Sequence, residues 1–474
     1  MDQETIGKTQ KKLDQVSSTF CLAKWKNSTI HLHSGHTQSC HHVMKEKFFI
    51  NKNDPSKIHN SPKKIKDRKK MLAGKQPTRC NYCWKVENLG QTSDRVLKSA
   101  NPTYMDKFDE VKNSEVGKSI APSYLEISFD KVCQFACAYC EPAFSTTWEK
   151  EVRKFGYYPT ISKLPLNLLY KNKITRNIIN SIKDRRNSKE KKENNIQAFW
   201  NWWPELKKEL KHLRVTGGEP FLSRETHKLF EHLISNPEKD LEFSVNSNMG
   251  LASSQMQPIA NKLSNVSKNV KHLSIYASID TLGKRAEYIR HGLNEKIFWE
   301  NTEVFLKTID TPISMVFMVT VNIMSLVGLE DLLKKISELS KKYPLHNIRV
   351  DTPYLRMPSY LSIEMLPQEF GIYPTKAFHW MENQNSFTVR EKQMVKRLAS
   401  IVAKPQNPFK QYLFQRDFNK FITEYDRRKN SDFNKTFPEL ASYRKNCQQG
   451  FFQFLQSDFF KKRSQRALGK GLSS

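Results

Sequence analysis

Between residues 124 and 350 the chain alternates short apolar runs with longer amphipathic ones. Tyr-Leu-Glu-Ile-Ser-Phe occupies 124–129, His-Leu-Arg-Val-Thr 212–216 and Leu-Glu-Phe-Ser-Val 241–245. His-Leu-Ser-Ile-Tyr-Ala-Ser-Ile follows at 272–279, Ser-Met-Val-Phe-Met-Val at 314–319 and Asn-Ile-Arg-Val at 347–350. Runs this short, rich in β-branched and aromatic residues, predict strands. The segments between them repeat apolar residues at helical spacing, as at 224–234 and 329–342. Strand–helix alternation predicts βαβ units on a parallel sheet, hence an α/β fold. Six such units over residues 121–365 suit a partial (β/α)6 barrel of the TIM type, whose chemistry sits at the C-terminal ends of the strands.

The flanks read differently. Residues 1–15 predict a loose tail. Residues 16–120 have weak periodicity, and within them the Lys-rich stretch 45–70, with Pro55 and Pro62, predicts an exposed loop. Residues 171–195 predict a basic, Asn-rich insertion containing Lys183, Arg185, Arg186, Lys191 and Lys192. From 366 to 474 the alternation stops, and a Phe-, Tyr- and Arg-rich helical region is expected to cap the barrel.

A length of 474 residues suggests two to three structural units. With 38% hydrophobic and 11% aromatic residues the chain is too apolar to be disordered. Its 78 Lys+Arg against 48 Asp+Glu give a net charge of +30, which suits a polyanion partner or reflects a general Lys bias. The first fifteen residues lack an apolar core, so no secretory signal is expected. The longest apolar stretch, near 313–324, is too short and too β-like to span a bilayer. A soluble cytoplasmic protein without a membrane partner follows. In that setting eight cysteines point to metal or redox chemistry rather than a disulfide framework.

The cysteines fall into groups. After the first barrel strand, which runs out at Asp130, comes Cys133-Gln-Phe-Ala-Cys137-Ala-Tyr-Cys140. Three thiolates on one loop are placed to hold an iron–sulfur cluster, with zinc as the competing metal. A [4Fe–4S] cluster takes four ligands, so three cysteines leave one iron open to a substrate. After the next strand comes Thr216-Gly217-Gly218-Glu219-Pro220. Glycines let backbone approach a ligand, and a carboxylate answers an ammonium group.

The two segments together resemble the radical S-adenosylmethionine (SAM) enzymes, whose signature is CxxxCxxC after the first barrel strand and GGEP after the second. The resemblance covers about residues 121–365. It implies that Cys133, Cys137 and Cys140 hold a [4Fe–4S] cluster and that Gly217, Gly218 and Glu219 meet the methionine end of SAM. Tyr139 is similar to the family's aromatic before the last cysteine. Asn246, Ser247 and Asn248 end the third strand where the family places polar contacts to SAM. Ser278 and Asp280 are similar to its Ser-x-Asp after the fourth strand, or else are helix caps. Arg290 resembles the arginine that pairs the SAM carboxylate, or else is a surface ion pair. Residues 355–357 would lie near adenine.

Phe20-Cys21, Leu32-His33, Ser39-Cys40-His41 and Cys80-Asn-Tyr-Cys83-Trp84 resemble the auxiliary-cluster segment called SPASM or twitch. Members of that family often have a Cys-Cys pair where this chain has Ser39-Cys40 or Cys40-His41. Cys21, Cys40, Cys80 and Cys83 nonetheless suffice for a closed auxiliary [4Fe–4S] cluster, with a four-cysteine zinc site as the alternative. The resemblance implies reductive cleavage of SAM to a 5′-deoxyadenosyl radical. That radical abstracts hydrogen from a peptide, protein or sugar-like substrate, and a flavodoxin-type reductase donates the electron. The auxiliary cluster would take an electron back, for net oxidation, or hold the substrate. The rival reading is a zinc-binding nucleic-acid protein without enzymatic activity. It accounts for the charge and the cysteines but not for GGEP at a strand end. His31, His33 and His36 read as solvated or core histidines rather than a third metal site. Trp200, Trp202 and Trp203 read as packing, and Cys447 as a buried apolar residue.

Overall fold

The structure is a computed structural model. It describes residues 3–456 apart from 44, 49, 52–53, 116, 161–173 and 403–407, and gives only the backbone of 3, 174–188, 408 and 450–456. A nine-stranded, mostly parallel sheet organises it. The strands are β1 (Asn27–His31), β2 (His36–Gln38), β3 (Glu46–Lys47), β4 (Tyr124–Ser128), β5 (His212–Thr216), β6 (Glu238–Ser247), β7 (Val270–Ser278), β8 (Ser314–Met318) and β9 (Asn347–Asp351). Their order is β3-β2-β1-β4-β5-β6-β7-β8-β9. The six expected strands are β4 to β9, with ends shifted by at most three residues. The other three lie where the sequence shows weak periodicity. β1 pairs parallel to β4, whereas β2 and β3 continue antiparallel from it.

The chain divides into two compact units. One comprises residues 1–131, 177–246 and 265–273; the other comprises 132–176, 247–264 and 274–474. In the first, Leu125 and Ile127 on β4 and Leu213 and Val215 on β5 are fully buried at alternate positions. The helix Arg224–Ser235 buries Thr226, Leu229, Phe230 and Leu233, the i, i+3, i+4, i+7 stripe of an amphipathic helix. In the second, Leu329–Lys342 buries Leu329, Leu332, Leu333 and Ile336 in the same way. Past residue 366 the described chain is helical, through Ile372–Glu382, Val389–Val402, Pro408–Lys429 and Ala441–Gln456.

The exposed loop expected over 45–70 is a correction. Residues Pro62–Leu72 form a helix, capped by the Ser61 hydroxyl, which accepts from the Lys64 amide, and started by Pro62. That helix buries two of its basic residues. Lys64 Nζ donates to Thr37 Oγ1 at 2.7 Å and Ser28 Oγ at 3.1 Å, and Arg68 donates to Asn60 Oδ1 at 2.8 Å. Burial, helped by Arg68, pulls Lys64 well below its ordinary pKa. The basic insertion also takes a definite form, because Ile174–Glu209 is one helix. Among the described residues, no helix is long and apolar enough to cross a membrane.

Candidate metal and cofactor sites

In the first unit, β1, β4 and β5 are parallel neighbours, and His31, Ser128 and Thr216 stand in register at their C-terminal ends. The chain turns sharply just past β5. Gly217 has φ +134°, and a Cβ there would lie 2.5 Å from the Asp130 carbonyl oxygen and 2.9 Å from Ser128 Oγ, so the position admits glycine alone. The Gly218 amide then donates to Asp130 O at 3.2 Å. Glu219 is 1% exposed, and its Oε1 accepts from the Phe221 amide at 3.1 Å, capping the turn Pro220–Leu222. The GGEP segment is therefore pinned to the end of β4 by its backbone, while the Glu219 side chain holds the turn that follows. Asn246 Oδ1 accepts from Arg214 Nε at 2.8 Å.

In the second unit, the three-cysteine loop is held from several sides. The Ala136 and Ala138 amides donate to the carbonyls of His291 (2.9 Å) and Ile289 (2.7 Å). Trp148 Nε1 donates to Cys137 O at 2.8 Å, Thr147 Oγ1 to Cys133 O at 2.7 Å and Ser145 Oγ to Phe135 O at 2.7 Å. Phe135 is buried against Gly250, where a Cβ would stand 2.2 Å from its ring. Asn248 Nδ2 lies 3.8 Å from Cys133 Sγ and 3.2 Å from Gln134 Oε1. Of the three polar residues ending β6, the one that meets a cysteine is thus Asn248, and the one bonded to Arg214 is Asn246. Burial pushes the Cys137 thiol up, with the Arg290 guanidinium opposing.

Beside the loop lies a buried ion pair. Asp280 is fully buried, accepts from a terminal guanidinium nitrogen of Arg290 at 3.0 Å, and has its other carboxylate oxygen 2.9 Å from Arg290 Nε. It also accepts from the Tyr139 hydroxyl at 2.8 Å and the Thr320 amide at 3.0 Å. Burial, and then Asp280 itself, pushes the Tyr139 hydroxyl well above its ordinary pKa. Tyr139, Asp280 and Arg290 are brought together as one unit, with the Arg290 guanidinium 5.7 Å from the Tyr139 ring centre. Neither a helix cap nor a surface ion pair describes Asp280 and Arg290. Ser278 ends β7 opposite Met318.

The four N-terminal cysteines, spread over more than sixty positions of sequence, line one cavity of the first unit. Cys80 and Cys83 belong to a core with Phe20, Trp25, Met71 and Trp84, and Cys21 and Cys40 pack against it. Burial, and then the other three cysteines, pushes Cys21 up to about 12, and burial pushes Cys83 up to about 11. Lys24 also lines the cavity and pairs with Asp67 at 3.1 Å. Metal binding would displace the protons that burial keeps on these thiols.

The spacing of the ligands bears on which metal fits. Among the described residues, His41, His42 and Asp94 bring three ligand atoms within 4.8 Å of one another, and no three cysteines do. A single tetrahedral zinc, with Zn–S bonds of ~2.3 Å, holds its thiolates roughly 3.8 Å apart. Neither cysteine group converges that closely on one point among the described residues. No sequence motif singles out Asp94. It caps no helix itself but lies in the first turn of Asp94–Ser99 and accepts from His42 Nε2 at 2.8 Å.

No protein-family model and no curated protein matches the chain.

Proposed function

We propose that the chain is a radical SAM iron–sulfur enzyme with a second, auxiliary cluster. The observation that carries the reading is the order of the two motifs. CxxxCxxC begins three residues after Asp130, just past β4, and GGEP follows β5, the next parallel strand, bonded back to Asp130. Strands β4 to β9 run in sequence order across the sheet, with helices between them, which supports a partial (β/α)6 barrel for this part. Cys133, Cys137 and Cys140 would hold a [4Fe–4S] cluster with one open iron, and Cys21, Cys40, Cys80 and Cys83 a closed one. When bound, cluster and SAM supply one-electron chemistry that ends in hydrogen abstraction from a substrate.

The chain's own residues do the positioning. Backbone bonds from 289 and 291 and the side chains of Ser145, Thr147 and Trp148 fix the loop's path without help from a metal. Gly217, having no Cβ, lets the start of the GGEP turn pack directly against the Asp130 carbonyl and the Ser128 hydroxyl at the end of β4. The Arg290 guanidinium, held in place by Asp280, partly offsets the burial that keeps the Cys137 thiol protonated. Tyr139 is tied to the same carboxylate, so the last turn of the loop and the pair move as one.

Anaerobic reconstitution with iron and sulfide, followed by SAM and a strong reductant, tests the reading. It predicts a brown protein that forms 5′-deoxyadenosine. A fully iron-loaded protein that forms none would refute it.

A further inference from the structure

We propose that the C-terminal edge formed by β1, β4 and β5 carries an oxyanion site, built from His31, His33, His36, Lys45 and Lys191, that takes the phosphate group of a small phosphate-ester substrate. Only the step from anion to substrate rests on the radical SAM reading; the site itself stands on its own residues.

The geometry begins with register. His31 ends β1 opposite Ser128 of β4 and opposite His36, which opens β2, so the hairpin Leu32–Gly35 projects from that edge. Parallel α/β sheets bind ligands at this edge. The His31 and His33 ring centres lie 5.9 Å apart, and His33 Nδ1 is 3.3 Å from Ser128 Oγ. The helix Ile174–Glu209 crosses the hairpin. Its Asn195 Nδ2 donates to Leu32 O at 2.7 Å, and its Lys191 side chain lies against Gly35.

Lysines dominate the charges around the histidines, with one carboxylate, Asp130, acting on His33. Lys45 acts on all three, Lys131 on His33, and Lys47 and Lys191 on His36. The carboxylate that acts on His33, Asp130, is paired with Lys192. Burial first, and then these lysines, hold His31 down at about 3 and His33 down at about 4. A metal cation does not suit such a site: the three histidines do not converge within 4.8 Å, and their neighbours are cationic. An anion does suit it. Neutral imidazoles offer N–H donors, and lysines supply point charges from several directions, which match a tetrahedral phosphate. Planar carboxylates are instead recognised by the forked arginine guanidinium, and none of the groups named here is an arginine.

Calorimetric titration of inorganic pyrophosphate into the full-length protein at low salt tests the site. Saturable one-site binding is expected. It should weaken by about tenfold or more in Lys45→Ala/Lys191→Ala, since each lost charge-assisted hydrogen bond is worth about that factor. Both lysines are exposed, so this variant should fold. A control pair on another surface, Lys296→Ala/Lys334→Ala, should leave binding unchanged. No saturable binding would overturn the proposal. So would equal weakening by both pairs, acetate binding as tightly as pyrophosphate, or binding seen with single-stranded RNA but not pyrophosphate. A wild-type sample that binds pyrophosphate yet, once reconstituted, forms no 5′-deoxyadenosine would overturn the radical SAM reading and leave the oxyanion site standing.

Discussion

The two groups of cysteines are organised in opposite ways. Cys133, Cys137 and Cys140 sit on one short loop whose carbonyls and amides are bonded to Ile289, His291, Thr147 and Trp148. Cys21, Cys40, Cys80 and Cys83 come from separate segments that meet only because a shared apolar core gathers them. The first arrangement exists whether or not metal is present. The second depends on tertiary packing, and a metal that bridges its four thiolates would add directly to the stability of that packing. In the proposed reading the difference in ligand number matters as well: three thiolates would leave one iron of a [4Fe–4S] cluster open, and four would leave none.

The largest expected effect falls on chemistry. Cys133→Ala, Cys137→Ala and Cys140→Ala should each reduce 5′-deoxyadenosine formation to the level without protein, while circular dichroism shows the fold retained. A single variant that cleaves SAM at the wild-type rate would break the contrast. The double variant Cys80→Ala/Cys83→Ala should lose one cluster of two, so iron analysis should fall from about eight to about four per chain. Its melting temperature should also drop, whereas slow SAM cleavage survives. Unchanged iron, with zinc in the wild type, would make the N-terminal site structural.

Next comes the buried pair. Asp280→Ala leaves the Arg290 guanidinium without its carboxylate, which should cost about 3–5 kcal/mol in denaturant unfolding. Tyr139→Phe removes one hydrogen bond to the same carboxylate and should cost about 1–2 kcal/mol. If Asp280→Ala were no worse than Tyr139→Phe, the pair would not be what anchors the loop.

A further effect is on pH. His31 and His33 are held near 3 and 4 when folded, chiefly by burial, and titrate near 6.5 when unfolded. Between those values the unfolded chain binds more protons, so folding stability is full above about 6.5 and falls as pH drops towards about 4. Thermal melts from pH 7.5 to 5 should show that loss, and His31→Gln should flatten it. An unchanged slope in the variant would show that His31 does not titrate in this range.

Much of the sheet was legible in sequence. β4 to β9 announce themselves as short runs rich in apolar residues, which on β4 and β5 are buried at alternate positions. β1 does not, because Asn-Ser-Thr-Ile-His is mostly polar, yet all five residues are buried. Its Ser28 hydroxyl accepts from Lys64 Nζ, and no local pattern reveals such pairing. The helix that carries Lys64 reads as solvated charge, although Ser61-Pro62 was a visible start signal. The cysteine spacing marked the candidate sites, and the resemblance of GGEP to a known motif marked another. What the sequence could not display is that Tyr139 reaches the Asp280 carboxylate, or that Asn248 reaches Cys133, because those two contacts join residues more than a hundred positions apart. The charged tail residues Lys461, Lys462, Arg463 and Arg466 lie outside the described residues, as do the side chains of Lys183, Arg185 and Arg186.

The division of roles between the two cysteine groups is tested most directly by electron paramagnetic resonance of the reduced, reconstituted protein, recorded with and without SAM. An open iron takes SAM as a ligand and changes its spectrum, whereas a closed cluster does not. The account predicts a SAM-dependent change that persists in Cys80→Ala/Cys83→Ala and vanishes in Cys133→Ala. A change that vanishes in the first variant and persists in the second would place the open iron at the N-terminal cysteines and contradict the account.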